Sequence, residues 1–202
     1  MAEELLIIFV KNPVAGKVKT RLAESIGSRN ALHIYKILLR HTHAAAYSIN
    51  VDTQVWYSSK IDRTDLWENG SFDKYLQKGE NLGRRMSDAI GKGFDDGYSR
   101  VVIIGSDCAD LTSGHIRKAF TELTTADCVI GPARDGGYYL LGLSRFLPDL
   151  FEEIEWSKPT VLEDTIKILG QNNFTVELLE ELNDIDTIED LKQSGLKIEA
   201  LD

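Results

Sequence analysis

Four cations lie within one short segment of this sequence, FVKNPVAGKVKTRL, which covers residues 9–22. Lys11, Lys17, Lys19 and Arg21 surround a single proline and a single glycine, directly after an apolar run. Gly16 lets the backbone approach a ligand closely, and an arginine can bind a phosphate through two parallel hydrogen bonds. The segment therefore has the composition of a diphosphate-binding loop. A solvated basic surface loop is the alternative, because lysines also act as simple point charges at helix ends.

The spacing of this loop excludes two common phosphate-binding motifs. A P-loop requires GxxxxGK[ST], but the residue five before Gly16 is Lys11 and the residue after Lys17 is Val18. A dinucleotide-binding GxGxxG is also excluded, since Gly16 is the only glycine between residues 10 and 22. What remains is a strand, a turn and a helix start that carry four cations, which suits a diphosphate.

A second candidate site is VVIIGSDCADL, residues 101–111. Its apolar residues predict a buried strand that carries Asp107 to its end, where an unpaired charge would be costly without a cation or hydrogen-bond donors. Mg²⁺ and Mn²⁺ take one or two carboxylates together with substrate phosphate oxygens, and Asp107 with Asp110 could provide them. The alternative is that Asp110 or Ser106 caps the following helix.

The periodicity of apolar residues predicts strands that alternate with helices. Predicted strands cover residues 5–10, 53–57, 100–107, 127–133, 136–143 and 174–178, and predicted helices cover 31–46, 82–96, 113–124, 160–170 and 187–194. The helix at 160 is expected to open with a capping box of Thr160 and Glu163.

This alternation predicts the fold class α/β, with a three-layer α/β/α, mostly parallel, Rossmann-like sheet in one domain over residues 1–202. Ligands of such sheets bind beyond the carboxyl ends of the strands. The loops at residues 11–21 and 105–110 both follow strands, so we expect them to face each other across one pocket. A basic loop opposite a metal carboxylate suits a nucleoside diphosphate.

Composition limits the classes of function. The chain has 202 residues, of which 23 are Lys or Arg and 32 are Asp or Glu, so its net charge is −9. That charge argues against binding nucleic acid or anionic membranes. The two cysteines, Cys108 and Cys128, form no CxxC motif, and no apolar run approaches the length of a membrane span. We expect a cytoplasmic protein.

Five blocks of the sequence resemble the signatures of a bacterial family of glycosyltransferases of the GT-A type, which includes members assigned to arsenosugar biosynthesis. The blocks are FVKNPVAGKVKTRL, QKGENLGRRM, GSDCADL, GPARDGGYYLLGL and LNDIDTIEDL, and they span nearly the whole chain in order. The chain is more distantly similar to 2-phospho-L-lactate guanylyltransferase and the molybdenum cofactor guanylyltransferase, which share the nucleotide-diphospho-sugar transferase fold.

The resemblance implies a nucleotide loop and a metal site. It places Lys11, Gly16, Lys19, Thr20 and Arg21 in the nucleotide loop. It also implies that Asp107 is the metal carboxylate that GT-A enzymes hold in or near a DxD, although the segment reads Ser-Asp-Cys-Ala-Asp. Asp186 resembles the late acidic position that supplies a second metal contact, but its spacing to Glu189 also fits a helix cap.

Three further residues are candidates for substrate contacts. Gln77 and Asn81 flank a glycine-containing turn and could reach a base, ribose or phosphate, or the segment is only a helix start with solvated arginines. Asp135 precedes two glycines and could bind the sugar or act as a base, or its carboxylate only bonds to its own turn.

Three functions fit these residues. The first is metal-dependent transfer of a sugar from a nucleoside diphosphate sugar to a small-molecule acceptor, with Mg²⁺ or Mn²⁺ as cofactor and Asp135 and Arg21 as catalytic candidates. The second is nucleotidyl transfer from a nucleoside triphosphate to a phosphorylated small molecule. The third is non-catalytic binding of a nucleotide sugar. The family resemblance places glycosyl transfer first.

Overall fold

The computed structural model describes residues 3–152, 154–194 and 196 of the chain. Within them it contains seven strands, namely β1 (Glu4–Val10), β2 (Asp52–Tyr57), β3 (Asp73–Leu76), β4 (Arg100–Ile104), β5 (Cys128–Pro132), β6 (Tyr138–Leu143) and β7 (Val176–Leu178). The helices are α1 (Thr20–Ile26), α2 (Ser28–Tyr47), α3 (Leu82–Asp95), α4 (Ser113–Glu122), α5 (Asp149–Glu152), α6 (Val161–Gln171) and α7 (Ile188–Gln193).

All of these strands form one mostly parallel sheet, in the order β3-β2-β1-β4-β6-β5-β7. β1 pairs in parallel with both β2 and β4, β2 pairs in parallel with β3, and β5 pairs in parallel with β7. Only β6 runs antiparallel, between β4 and β5. The predicted α/β class is therefore confirmed.

Helices cover both faces of the sheet because successive strand residues point to opposite sides. In β1, Leu6 and Ile8 pack in a core with residues of α2 and α4. Leu5 and Ile7 pack on the other face with residues of α3, α5 and α6. A smaller cluster joins α1, α2 and α7 at one end of the sheet. The predicted three layers are thus present.

The strand directions bring four connections to one edge of the sheet. The loops after β1 and β4 are neighbours because Ile8 of β1 pairs with Ile104 of β4. Since β6 is antiparallel to β5, the β5–β6 hairpin at residues 133–137 turns at the same edge. The segment after β7 follows this edge as well, because Leu182 N–H donates to the Pro132 carbonyl and Ile185 N–H donates to the Asp107 carbonyl.

The sequence prediction was wrong or incomplete at several elements. β3 and α5 were not predicted, since each has only four residues and carries a weak periodic signal, and α1 was predicted only as a helix start after the cationic loop, without bounds. The predicted capping box at Thr160 is wrong, because Thr160 has α-type backbone angles and makes no side-chain cap hydrogen bond.

None of the helices in the described part of the chain combines the length and apolar character that crossing a bilayer requires.

Candidate functional site

The centre of the site is an ion cluster around Lys19. Its Nζ lies 3.2 Å from Asp107 Oδ1 and 3.0 Å from Asp186 Oδ1. Arg21 approaches the other oxygen of Asp186, at 3.7 Å. The structure therefore brings together the cationic loop after β1, the carboxylate after β4 and the late carboxylate before α7. The sequence predicted that the first two of these would face each other.

Lys19 is the buried member of this cluster. Its side chain is only 3% exposed, whereas those of Asp107 and Asp186 are 31% and 48% exposed. Burial lowers the pKa of an ammonium, but the charges of Asp107 and Asp186 outweigh it, and the net effect raises the pKa of Lys19. Lys19 is thus a permanent cation held between two carboxylates. Its backbone has φ 48°, a left-handed conformation that is unusual for a residue with a side chain.

Tyr35 of α2 positions the start of the cationic loop. Its hydroxyl accepts a hydrogen bond from Lys11 N–H (2.9 Å), donates one to the Lys11 carbonyl (3.0 Å), and lies 3.1 Å from Ser106 Oγ. Both Tyr35 and Ser106 are buried. One phenol therefore connects the loop after β1 to the loop after β4.

The segment before α7 brings Asp186 to Lys19. Cys108 and Asp184 form an antiparallel β-bridge, so this segment runs along the loop after β4. α7 then begins with a capping box in which Thr187 Oγ1 accepts from Asp190 N–H and the Asp190 carboxylate accepts from Thr187 N–H. The cap interpretation of Asp186 is therefore wrong, since Thr187 is the N-cap and the Asp186 carboxylate faces Lys19 and Arg21.

A pocket of about 600 Å³ opens beside the ion cluster. Arg21, Asp135 and Asp186, all predicted from the sequence, contribute to its lining. Strand residues of β4 and β6 form its floor, and α3 and the segment before α6 form its walls. The volume lies within the range of small-molecule sites in enzymes.

The sequence reasoning missed Asp184, which also lines this pocket. Burial, followed by the negative charge of Asp107, raises the pKa of Asp184 to about 7, while Lys19 opposes the shift. A signal was available, because Asp184-Ile185-Asp186 is an Asp-x-Asp sequence. It lies in the last of the five blocks rather than after β4, where a DxD was sought. Trp156 and Lys158 of the pocket wall were missed too, since they lie in a segment without a motif.

The other predicted loop residues lie at the surface around Lys19. Gly16 has φ 77°, a conformation that favours glycine, and Lys17 N–H donates to the Val14 carbonyl across the turn. Thr20 is exposed at the first position of α1, and the side chain of Lys11 is exposed beyond its tethered backbone. That Lys11, Gly16 and Thr20 contact the nucleotide remains a prediction.

Gln77 and Asn81 use their side chains within the protein. Gln77 Nε2 donates to the Trp56 carbonyl at 2.8 Å, and it lies at the end of β3 beside β2. Asn81 is the N-cap of α3, and its side chain accepts a hydrogen bond from Arg84 N–H at 2.9 Å. The segment around Asn81 is therefore a helix start in the structure, as one of its two interpretations from the sequence had it. Neither residue lines the pocket beside Lys19.

Asp135 makes the hydrogen bond of its turn and also faces the pocket. Oδ1 accepts from Gly137 N–H at 2.9 Å, and the residue is part of the pocket lining. Asp135 can therefore bond to its own turn and still contact a substrate in the pocket.

The alternative that Asp110 or Ser106 caps the helix after β4 is wrong, because Thr112 caps α4 together with His115.

The two carboxylates around Lys19, Asp107 and Asp186, suit a hard divalent cation whose coordination is completed by phosphate oxygens of a substrate. Mg²⁺ and Mn²⁺ bind oxygen ligands, and Mg²⁺ commonly uses one or two carboxylates plus phosphate oxygens. Asp107 and Asp186 converge on one point and both have solvent access. In the described part of the chain no group of three or more His, Cys, Asp or Glu residues is placed to hold a metal alone. Asp107 and Asp186 could therefore supply two oxygen ligands to such a cation, and other ligands would have to come from elsewhere.

A family model described as "uncharacterized protein conserved in bacteria (DUF2064)" matches residues 41–158 of the chain. The chain belongs to this family. The comparison with curated proteins gave no match.

Solved structures share the fold of this family member. A candidate nucleotide-diphospho-sugar transferase from Desulfovibrio desulfuricans G20 is 37% identical, with a TM-score of 0.88 over 95% of this chain and 85% of that one. Rv0371c of Mycobacterium tuberculosis H37Rv, in complex with manganese, is 12% identical, with a TM-score of 0.58 over 95% of this chain and 97% of that one. The 4-diphosphocytidyl-2C-methyl-D-erythritol synthase of Anaerococcus prevotii is 12% identical, with a TM-score of 0.60 over 96% and 94%.

These likenesses confirm the resemblance seen in the sequence blocks and the nucleotide-diphospho-sugar transferase fold. The distant structures, at 12% identity, support the fold alone.

Proposed function

We propose that this chain is a metal-dependent glycosyltransferase that moves a sugar from a nucleoside diphosphate sugar to a small-molecule acceptor. The observation that carries the proposal is the position of Lys19, between Asp107 and Asp186 at the carboxyl edge of the sheet. The likeness to the Desulfovibrio transferase candidate supports the same class of donor.

The cationic loop binds the diphosphate in this proposal. Lys19 is held as an ammonium by its two carboxylates, and Arg21 is 68% exposed, so its guanidinium can turn from Asp186 to a phosphate. Both cations then face the charge that develops as the nucleoside diphosphate departs, and they stabilise it electrostatically. Lys11 and Thr20 are exposed in the loop after β1 and at the start of α1, and the proposal assigns them to the same nucleotide.

Asp107 and Asp186 would hold Mg²⁺ or Mn²⁺ when the donor is bound, and that ion would supply positive charge beside the departing diphosphate. The manganese complex of the structurally similar Rv0371c is consistent with a divalent metal in this fold. Asp135 faces the pocket with one oxygen engaged by Gly137 N–H, and its other oxygen accepts the proton of the attacking hydroxyl.

Calorimetric titration of a nucleoside diphosphate panel, with Mn²⁺ and with chelator, tests the donor site. We expect Mn²⁺-dependent binding that both Asp107→Ala and Arg21→Ala weaken about tenfold or more, the loss of one charge-assisted contact. Asp110→Ala is the matched control, because Asp110 is exposed in the same loop and, among the described residues, Lys19 pairs with Asp107 and Asp186 instead. Binding that is indifferent to Asp107 and Arg21 would show that the site is elsewhere.

Turnover with a nucleotide-sugar panel then tests the reaction. Release of nucleoside diphosphate supports glycosyl transfer. Release of pyrophosphate from a triphosphate in the presence of a phosphorylated acceptor would instead establish nucleotidyl transfer. If every donor and acceptor combination fails while nucleotide binding persists, the chain is a nucleotide-sugar binder.

A further inference from the structure

The interior of the pocket beside the ion cluster differs in chemistry from the mouth of that pocket. Its interior is apolar, with floor residues Ile103 of β4 and Leu141 of β6, and with Leu82 and Met86 of α3 in one wall. Leu82 is 43% exposed, although it is a large apolar side chain next to a buried core. An apolar cavity open to solvent is costly unless a ligand fills it.

Aromatic rings give this interior flat surfaces. Trp156 and Tyr138 lie edge to face, with ring centroids 6.3 Å apart and an interplanar angle of 89°. Both line the pocket, and Phe9 lines it from β1. Aromatic faces of this kind bind ring-shaped ligands through stacking and contact with C–H groups.

The wall that carries Trp156 is held rigidly in place. A Cβ on Gly83 of α3 would lie 1.9 Å from Trp156 Nε1, and a Cβ on Gly136 would lie 1.9 Å from the Pro159 carbonyl oxygen. Leu162 N–H donates to the Gly136 carbonyl at 2.9 Å. The wall therefore touches both α3 and the β5–β6 hairpin, and the pocket is formed before a ligand arrives.

The mouth of the pocket is acidic. Among the described residues of its lining, three are carboxylates (Asp135, Asp184 and Asp186) and two are cations (Arg21 and Lys158). Lys158 forms an ion pair with Glu155, and Asp186 is paired with Lys19 and Arg21, whereas Asp135 has no ion-pair partner among the described residues. A phosphate or carboxylate group on a ligand in this pocket would therefore approach the negative charge of Asp135, while the cations of the lining are already paired with other carboxylates.

We propose that this pocket binds the acceptor, and that the acceptor is an uncharged, hydroxylated compound with a ring. The ring packs against Trp156 and Leu82, and a hydroxyl group points to Asp135 at the mouth, next to the diphosphate site at Asp186. The assignment as acceptor rests on the proposed glycosyltransferase function. It also excludes a phosphorylated acceptor, and so separates glycosyl transfer from nucleotidyl transfer to a phosphate.

Ligand-observed NMR with two matched probes tests this inference on the full chain. Phenyl β-D-glucoside is neutral, and phenyl β-D-glucuronide has nearly the same size but carries a carboxylate. We expect the glucoside to bind at least about tenfold more tightly, because the glucuronide places a charge near the acidic mouth.

Leu82→Trp provides the second arm, since a larger side chain at this half-exposed position fills the pocket. We expect it to weaken glucoside binding at least about tenfold and to leave nucleoside diphosphate binding unchanged, which also shows that the variant is folded. Leu178→Trp is the control, because Leu178 is 49% exposed on β7, outside the pocket lining. It should bind the glucoside like the native protein.

The outcomes separate the two proposals. Three results would overturn the assignment of the acceptor pocket: equal or tighter binding of the glucuronide, no binding of either probe, or glucoside binding that survives Leu82→Trp. Nucleoside diphosphate binding in the same experiments would still support the donor site. Selective glucoside binding without any nucleoside diphosphate binding would confirm the pocket's ligand class and remove the proposed donor chemistry.

Discussion

The ammonium nitrogen of Lys19 lies 3.0 Å from Asp186 Oδ1, although 167 residues separate them along the chain. Asp107 shares the same nitrogen. A single buried cation therefore connects the loop after β1, the loop after β4 and the segment before α7. Any divalent metal that binds Asp107 and Asp186 competes with Lys19 for their oxygens.

Replacing Lys19 tests this competition. Lys19→Met leaves two carboxylates facing each other, and we expect the free energy of unfolding to fall by about 2–3 kcal/mol, less than for a fully buried pair because both acids are partly exposed. Mn²⁺ should then raise the melting temperature of the variant more than that of the native protein. Lys118→Met, at an exposed position on α4, is the control and should behave like the native protein. A variant as stable as the native protein and insensitive to Mn²⁺ would contradict this role.

Tyr35→Phe tests the connection between the two loops. The change removes the hydroxyl that pairs with the Lys11 backbone and approaches Ser106. Because buried polar groups lose their partner, we expect a loss of about 1–3 kcal/mol in urea denaturation, together with weaker nucleoside diphosphate binding. Tyr47→Phe is the matched control, since Tyr47 is 64% exposed and should tolerate the change. Equal stability of the two variants would show that the hydroxyl is dispensable.

The Asp190 carboxylate supports the segment that carries Asp186. It accepts from Thr187 N–H at 2.7 Å and Asp186 N–H at 3.1 Å. We expect Asp190→Ala to cost about 1 kcal/mol at pH 7, as other lost helix caps do. Glu189→Ala, at the exposed neighbouring position, should cost less. Chemical denaturation at neutral pH measures both.

The Asp190 effect should depend on pH with a definite sign. Partial burial would raise the pKa of Asp190, but the hydrogen bonds from Thr187 and Asn183 outweigh it and lower the pKa below 3.8. A carboxylate with a lowered pKa stabilises the folded state above its unfolded pKa, and this contribution disappears as the pH falls through the folded pKa. The difference between Asp190→Ala and the native protein should therefore shrink below about pH 4. A constant difference from pH 7 to pH 3 would argue against the ionised cap.

Two glycines should prove essential to the pocket wall. Gly83→Ala places a methyl group 1.9 Å from Trp156 Nε1, and Gly136→Ala adds backbone strain at φ 88° to a contact with Pro159. We expect each to lower the free energy of unfolding by about 1–3 kcal/mol or more, since overpacking forces neighbours to shift. Gly170→Ala in α6 has open space within 4 Å and should be neutral or stabilising by up to about 1 kcal/mol. Similar melting temperatures for all three variants would contradict the tight packing of the wall.

The sequence determined the architecture because its signals are local. Apolar runs such as residues 5–10 and 100–107 predicted strands, observed at Glu4–Val10 and Arg100–Ile104, and their order with the helices predicted a mostly parallel α/β sheet. The position of Asp107 followed from the same logic, since a residue at the carboxyl end of a buried parallel strand lies at the binding edge. Gly16 was recognisable from the sequence as the glycine of a turn, and its φ of 77° in the structure is one that glycine adopts readily.

Only the tertiary structure decided which of these residues meet. The antiparallel insertion of β6 and the path of the chain after β7 bring Asp184 and Asp186 to the loop after β4, and no local pattern reports such a path. For the same reason the sequence left Asp186 open between a metal contact and a helix cap, whereas the structure pairs it with Lys19. The pocket combines side chains of β1, β4, β6, α3 and two connecting segments. Its apolar interior and acidic mouth arise from packing between elements that are distant in sequence, so the ligand class became visible only in the folded chain.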